Sequence, residues 1–442
     1  MTMDKGIFVD DGVAFREPAA IAAVQNRLFL EHLHYLAGRS PFYRKRFAEA
    51  GIDPGQVKTL ADLPLLPVTD KDDLAAATDD FLCVGPHEAV DFCLTSGTTG
   101  NAVPLLQTER DLARLAFNEA LAFGGTGIGR GDRVLIAVAL DRCFMAGMAY
   151  FLGLNRLGAL AIRGGAGSIP FLSELIRCHR PTAIIGVPTL LLKLGEGLQR
   201  EGLDPAALGI SRLIGIGEPV RNPDLSLSLL GRRVSECWGG QLFGSYASTE
   251  MATSFSDCPA GCGGHVPPEL ILIEILDEQG RPLPPGQAGE VVATPLQVTG
   301  MPLLRFRTGD IAVLHDGLCP CGRNTPRLGP VLGRCAQMLK MRGTTLFPSA
   351  IFSVLDELAG VRGYYLEVFN EYALSDRVRV VVGRADAALE AEAVAERIAA
   401  RIRIKPEVWI ASPEEVHARI HPGDRRKPVT FFDYRSKLGQ GR

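Results

Sequence analysis

From Asp132 to Gly217 the sequence alternates short apolar runs with longer segments of helical period, and few folds accept that pattern. "RVLIAVAL" reads as a buried strand, "FMAGMAYFLGLNRLG" as a helix, "ALAIR" as a strand and "IPFLSELIRCHR" as a helix; "TAIIGVP", "TLLLKLGEGLQREG" and "RLIGIG" continue as strand, helix, strand. Parallel neighbours need a crossover connection, usually a helix, so the array predicts an α/β fold with a mostly parallel sheet and crossover helices. In open sheets of this kind ligands sit outside the carboxyl ends of the strands, where "IGVPT", "GIGEP" and "GSYASTE" fall.

The flanks differ in character. Residues 16–80 are mostly of helical period, with a helix ending at Gly51 and an extended "LPLLPVTDKDDL" behind it; His32 and His34 read as ordinary packing or surface residues. After Gln241 the chain turns strand-rich, in "ILIEILDEQGRPLPPGQAGEVVATPL" above all. From about Gly333 a small α+β module follows, with strands "YYLEVF", "RVRVVVG" and "VWIAS" and a helix from Ala385 to Ile402. The expected organisation is a large N-terminal domain, 1–333, with a helical portion to about 80 and a strand-rich subdomain, and a small mobile C-terminal domain, 334–442.

A formal charge of -3 offers no basic footprint for nucleic acid. No apolar run approaches the ~20 residues of a membrane span, and the first residues lack a signal pattern. Six of the ten cysteines, Cys83, Cys93, Cys143, Cys178, Cys237 and Cys335, are scattered as reduced thiols usually are. A cytoplasmic protein without nucleic-acid or membrane partners is expected.

The stretch "LTSGTTGNAVP" concentrates Thr95, Ser96, Thr98 and Thr99 around Gly97 and Gly100. Glycines let backbone N–H groups approach phosphate oxygens closely, and hydroxyls add donors. The P-loop pattern is not met, because Asn101 stands where its lysine would be. Taken alone, the stretch reads equally well as a polar turn.

Further blocks occur in order along the chain: "SPFYRKRFAEAGIDP", "LADLPLLPVTDKDDL", "TSGTTG", "GIGEP", "GSYASTE", "PLLRFRTGD", "CPCGR" and "LGRCAQMLKMRGTTLFPSAIF". Together they resemble the adenylate-forming superfamily, in its phenylacetate-CoA ligase-like branch, over nearly the whole chain. The resemblance implies that "TSGTTG" holds the β- and γ-phosphates of ATP. Tyr246, Ala247, Ser248, Thr249 and Glu250 resemble the block that touches the α-phosphate, Glu250 holding Mg²⁺ as a hard cation demands. Gly217, Glu218 and Pro219 resemble the adenine wall, Asp310 the ribose carboxylate and Arg334 the arginine beside the nucleotide. Lys427 falls at the family's catalytic lysine, where a cation offsets charge gathering at the α-phosphorus. Gln337 occupies the hinge, where many relatives carry Asp or Lys, and Phe144, Met148, Tyr150, Phe243, Gly244 and Ser245 lie in segments resembling the acid pocket.

Two patches remain, "DCPAGCGGH" with Cys258, Cys262 and His265, and "CPCG" with Cys319 and Cys321. Zinc takes four thiolate or imidazole ligands, and relatives of this branch often carry such a site; Cys258, His265, Cys319 and Cys321 are the expected ligands and Cys262 the spare, against reduced thiols without metal. The function implied is an ATP-dependent ligase that activates a carboxylic acid, aromatic or otherwise compact, as acyl-AMP and transfers it to coenzyme A. Two alternatives stay open: transfer to a carrier protein or an amine, and a zinc-stabilised nucleotide-binding protein without catalysis. A homodimer is also left open.

Overall fold

The computed structural model describes residues 8–10, 12–95, 102–341, 344–372, 375–402, 404–422 and 428–435. It divides into two compact units: Met1–Thr308 with Ala312–Pro330, and Gly309–Ile311 with Val331–Arg442. The larger unit opens with α1 (Pro18–Arg39) and α2 (Pro41–Glu49). The helical run is broken at Ser40, because Pro41 has no N–H to continue the ladder and the Ser40 hydroxyl accepts the Tyr43 N–H as an N-cap, 3.3 Å. After 3₁₀ turns comes α3 (Lys71–Ala76), its Asp70 and Asp73 forming a capping box. Leu28, Phe29, Leu33, Tyr43 and Phe81 pack with Leu303 and Leu304 in one core, and His32 sits buried there with Nε2 3.0 Å from the Leu303 carbonyl. His34 Nδ1 lies 2.8 Å from the Leu30 carbonyl of its own helix.

A hairpin of β1 (Ala89–Leu94) and β2 (Pro104–Thr108) leads into α4 (Glu109–Gly125). The alternating array then appears as β3 (Arg133–Ala137), α5 (Met145–Leu157), β4 (Leu160–Arg163), α6 (Ile169–His179), β5 (Ala183–Gly186), α7 (Pro188–Arg200), β6 (Arg212–Ile216), α8 (Leu229–Trp238) and β7 (Gln241–Ser248), closed by β8 (Thr253–Ser256). The sheet runs β4-β3-β5-β6-β7-β8, parallel through β7 and antiparallel at β8. Its inner strands are apolar on both faces because helices cover both, as Ile184, Ile185, Leu213 and Ile214, none of them exposed, illustrate. Strand β3 is shorter than "RVLIAVAL" and stops at Ala137; further on the chain turns through Arg142 and Cys143, both at φ +56°.

A second sheet is formed by β9 (Gly264–His265), β10 (Ile271–Leu276), β11 (Ala288–Pro295), β12 (Phe306–His315) and β13 (Arg327–Leu328) in the order β10-β11-β12-β13-β9. The middle of β12 belongs to the smaller unit, where Asp310 and Ile311 pair with Arg334 and Gly333 of β14 (Gly333–Arg334).

The smaller unit continues with β15 (Leu339–Met341), β16 (Thr344–Leu346), α9 (Pro348–Asp356), β17 (Val361–Tyr372), β18 (Ser375–Arg384), α10 (Ala391–Ile402), β19 (Glu407–Ala411), α11 (Pro413–Ile420) and β20 (Phe431–Asp433). The sheet order is β19-β18-β17-β20, an antiparallel hairpin with a parallel strand on each side. Leu366, Val368, Val378 and Val380 meet Ile351, Leu355, Val394 and Ile398 of the helices in its core. Helix α10 starts at Ala391 rather than Ala385, because the Ala385 N–H bonds the Gly360 carbonyl and the Asp386 carboxylate accepts the Ala388 N–H in a turn.

Candidate active site and cysteine–histidine cluster

Hairpin β1–β2 is the base on which the glycine-rich stretch stands. Thr95 closes its neck: its N–H donates to the Val103 carbonyl at 3.0 Å, and its hydroxyl accepts the Val103 N–H at 2.9 Å. Ser96, Gly97, Thr98, Thr99, Gly100 and Asn101 lie outside the described residues, as does Lys427. The Leu94 N–H reaches across to the Cys143 carbonyl at 2.9 Å, tying the hairpin to the loop that follows β3. Each non-glycine residue held at positive φ costs on the order of 1 kcal/mol, so the adjacent Arg142 and Cys143 store strain at the carboxyl end of the sheet. Strand order reverses at this point, with β4 on one side of β3 and β5 on the other.

At the end of β6, Gly217 adopts φ +73°. The Glu218 carboxylate accepts the Thr189 N–H at 3.0 Å and its hydroxyl at 2.9 Å, so this side chain secures the loop to the first turn of α7. At the end of β7, Tyr246, Ala247 and Ser248 run into the turn Thr249–Ala252, in which the Met251 N–H donates to the Ser248 hydroxyl and the Ala252 N–H to the Thr249 carbonyl. Met251 is fully buried and Ala252 sits at φ +46°. Thr249 and Glu250 line a cleft together with Leu105, Gln107, Arg114, Met145 and Met301.

The residues expected around an acid divide into groups. Phe243 and Tyr150 are buried in one core cluster, with Phe144 packed against it, and Tyr150 meets Phe123 edge-on at 5.6 Å between centroids. Met148 is 42 % exposed and is not gathered with them. The Ser245 hydroxyl accepts from Ser256 at 3.2 Å, and the Gly244 N–H donates to the Asp257 carboxylate, which also pairs with Arg221 at 2.7 Å. Glu119 of α4, fully buried, faces Ser254 and Tyr150, and burial pushes its carboxyl up to about 8. Sequence patterning does not reveal Asp257, Arg221 or Glu119, because isolated charges in mixed segments look like solvated surface until the fold buries them.

In the smaller unit Asp310 and Arg334 lie opposite each other across the β12–β14 pair, with Arg334 Nε 3.2 Å from Asp310 Oδ1. Gln337 ends the 3₁₀ turn that follows.

Cys258, His265, Cys319 and Cys321 converge, their ligand atoms all within 4.8 Å of one another. Pairing of β9 with β13 places His265 opposite Arg327, and its Nδ1 lies 3.0 Å from the Thr325 hydroxyl. Cys258 Sγ is 3.5 Å from Cys319 Sγ, and Cys321 Sγ is 3.4 Å from His265 Nε2. Cys262 instead donates to the Ala260 carbonyl. A tetrahedral zinc with ~2.3 Å sulfur bonds needs sulfur–sulfur edges of about 3.8 Å, so the donor set fits that ion. Burial lowers His265 to about 4, helped by Arg323 and Arg327, and leaves a neutral imidazole with Nε2 turned to the thiols. Burial raises Cys258 and Cys319; at Cys321 it is outweighed by donors from Arg323 and the two neighbouring thiols, and that thiol is lowered.

A family model described as AMP-binding enzyme matches residues 47–300, more than half of the chain. The phenylacetate-coenzyme A ligase of Thermus thermophilus is 30 % identical over 82 % of this chain and 81 % of its own. The chain belongs to the AMP-binding enzyme family, in its phenylacetate-CoA ligase-like branch. The phenylacetate-coenzyme A ligase of Escherichia coli is 26 % identical over 95 % of this chain and 96 % of its own. Among solved structures, a 2-hydroxyisobutyryl-CoA ligase in its postadenylation state superposes with a TM-score of 0.79 at 25 % identity, covering 94 % of this chain and 89 % of the other. The same ligase with 2-HIB-AMP and CoA in the thioesterification state gives 0.69 at 27 %, covering 95 % and 91 %. No helix of this AMP-binding enzyme, among the described residues, is long and apolar enough to cross a membrane.

Proposed function

We propose that this AMP-binding enzyme is an AMP-forming acid–CoA ligase acting on an aromatic carboxylic acid. In the first half-reaction a carboxylate oxygen of the acid attacks the α-phosphorus of MgATP, the bond to the bridging oxygen breaks, and pyrophosphate leaves. In the second, the thiol sulfur of coenzyme A attacks the acyl carbonyl, AMP departs with the bonding pair, and the thiol proton goes to solvent. The observation that carries the reading is the turn Thr249–Ala252: where the last parallel strand ends, it presents Thr249 and Glu250 to a cleft beside the hairpin of the glycine-rich stretch. A carboxylate and a hydroxyl there suit Mg²⁺ and phosphate oxygens.

In this reading Asp310 serves the ribose hydroxyls and Arg334, its ion-pair partner, is the arginine near the nucleotide. Lys427 stabilises charge at the α-phosphorus during adenylation. Gly217–Pro219 form the adenine wall, which Glu218 secures to α7. Cys258, His265, Cys319 and Cys321 would hold a Zn²⁺ whose four places they fill, so its part is structural. None of the ten cysteines is in a disulfide, consistent with work in a reducing compartment such as the cytoplasm.

The test is a pyrophosphate-release screen with MgATP over aryl and short aliphatic acids, followed by product analysis with coenzyme A, a carrier protein and ammonia. An aryl acid giving both pyrophosphate and its CoA thioester is expected. Pyrophosphate with product only from the carrier or ammonia would replace the acceptor, and nucleotide binding without pyrophosphate from any acid would replace the enzyme reading.

A further inference from the structure

Arg114 lies in the second turn of α4 with 1 % of its surface exposed, and its role follows from where its donors go. Nε donates to the Leu296 carbonyl at 2.7 Å, Nη1 to the Ala252 carbonyl at 2.5 Å, and Nη2 to the Thr253 hydroxyl at 3.0 Å and the Leu270 carbonyl at 2.6 Å. Among the described residues none of these acceptors is a carboxylate. A buried cation left without a counter-ion in contact is costly unless its donors are satisfied, and here four backbone or hydroxyl oxygens satisfy it. Burial lowers it only to about 10, so it stays charged at neutral pH. A hydrophobic residue would fill the space without that cost, which directs attention to what the guanidinium holds.

It holds the far end of the Mg²⁺ turn. Ala252 is at φ +46°, a conformation that an alanine does not keep unaided, and its carbonyl points to Arg114. Thr253, the next residue, starts β8, and its hydroxyl accepts from the same guanidinium. The near end is fixed by the Ser248 hydroxyl and by buried Met251. One helical turn before Arg114, the Asp111 carboxylate accepts the Thr108 N–H and hydroxyl, the Thr299 N–H and hydroxyl, and the Gly300 N–H, anchoring α4 directly behind the hairpin of the glycine-rich stretch. Helix α4 thus fixes the foot of that hairpin through Asp111 and the Glu250 turn through Arg114.

We infer that Arg114 is a positioning residue for magnesium: by clamping Ala252 and Thr253 it keeps Thr249 and Glu250 in the one turn conformation that meets MgATP. The inference rests on the reading of Glu250 as the magnesium carboxylate. Lysine could not replace the fork, because a single ammonium cannot reach four acceptors on three separate segments of the chain, Ala252–Thr253, Leu270 and Leu296.

The measurement is the free Mg²⁺ concentration giving half-maximal pyrophosphate release, taken on the full chain for the parent, Arg114→Lys and Glu250→Gln. Loss of groups that orient a metal ligand typically costs about 10–100-fold in metal affinity, so Arg114→Lys should raise the half-maximal concentration by about tenfold. Recovery of most of the maximal rate at high Mg²⁺ belongs to the same expectation, and a merely structural role would not produce it. If Glu250→Gln shifts the magnesium requirement and Arg114→Lys does not, the positioning inference is overturned while the site reading stands. If Glu250→Gln shifts nothing, the reading of Glu250 fails and the inference with it. Should Arg114→Lys not fold, Thr253→Val removes a single acceptor and reads the same quantity: a rise of about two- to threefold supports the clamp and an unchanged value overturns it.

Discussion

Replacing Cys319 by serine removes one corner of the cysteine–histidine cluster, and the structure sets the size of the effect. Cys319 is 4 % exposed, and its sulfur lies 3.5 Å from Cys258, within a few tenths of an ångström of the edge a zinc tetrahedron needs. His265 is held by Thr325, and the four ligand atoms lie within 4.8 Å of one another. An ion present at a thousand times its dissociation constant stabilises the fold by about 4 kcal/mol. A hydroxyl is a much poorer zinc ligand, so Cys319→Ser should forfeit most of that amount. At about 2.1 cal/mol/K per residue, a unit of about 330 residues shifts by about 1.5 °C per kcal/mol, so the larger unit should melt roughly 5 °C lower. The assay pairs metal analysis of protein purified without chelator with thermal melts before and after chelation. The parent should carry close to one zinc and lose stability on chelation; the variant should carry little and respond little. A parent without zinc above background, melting with the variant, would refute the reasoning.

Two further outcomes are expected. Glu119 keeps its proton in the folded chain to about pH 8 while the unfolded chain loses it near 4.5, so stability falls as pH rises through that window. Glu119→Gln should therefore be more stable than the parent at pH 8, by on the order of 4 kcal/mol, and close to it at pH 4, as denaturant titrations at the two pH values would reveal; an equal offset at both would assign the effect to packing instead. Lys427→Ala should slow acyl-AMP formation a hundredfold or more, the ~2.7–4 kcal/mol of one transition-state donor, and leave thioester formation from supplied acyl-AMP near the parent rate. Equal loss in both half-reactions, measured by rapid quench, would remove the catalytic assignment.

Much of the larger unit was legible because its signals are local and repeated. The run from Arg133 to Ile216 shows strand and helix periods in alternation, and each segment became the element expected, with β3 three residues shorter than its apolar run. Boundaries failed where one residue's hydrogen bonds overrode periodicity, as at Ser40 and Asp386. Short elements with few residues of pattern, such as β20 and α11, left no readable trace, since β20 exists only through parallel pairing with β17. Motif order singled out Thr249 and Glu250, which line a cleft, and two short patches singled out Cys258, His265, Cys319 and Cys321, which lie together. It could not indicate that Glu218 is committed to Thr189, that Tyr150 and Phe243 pack as core, or that Arg114 reaches Ala252. Such facts depend on residues distant in sequence meeting in space.

Exchange of labelled pyrophosphate into ATP, in the presence of the acid and without coenzyme A, tests the two-step account most directly. If the acid is adenylated before the thiol takes part, label should enter ATP only when the acid is present, and Glu250→Gln should suppress it. Thioester formation on adding coenzyme A, with no exchange in its absence and with ADP and phosphate as products, would contradict the account.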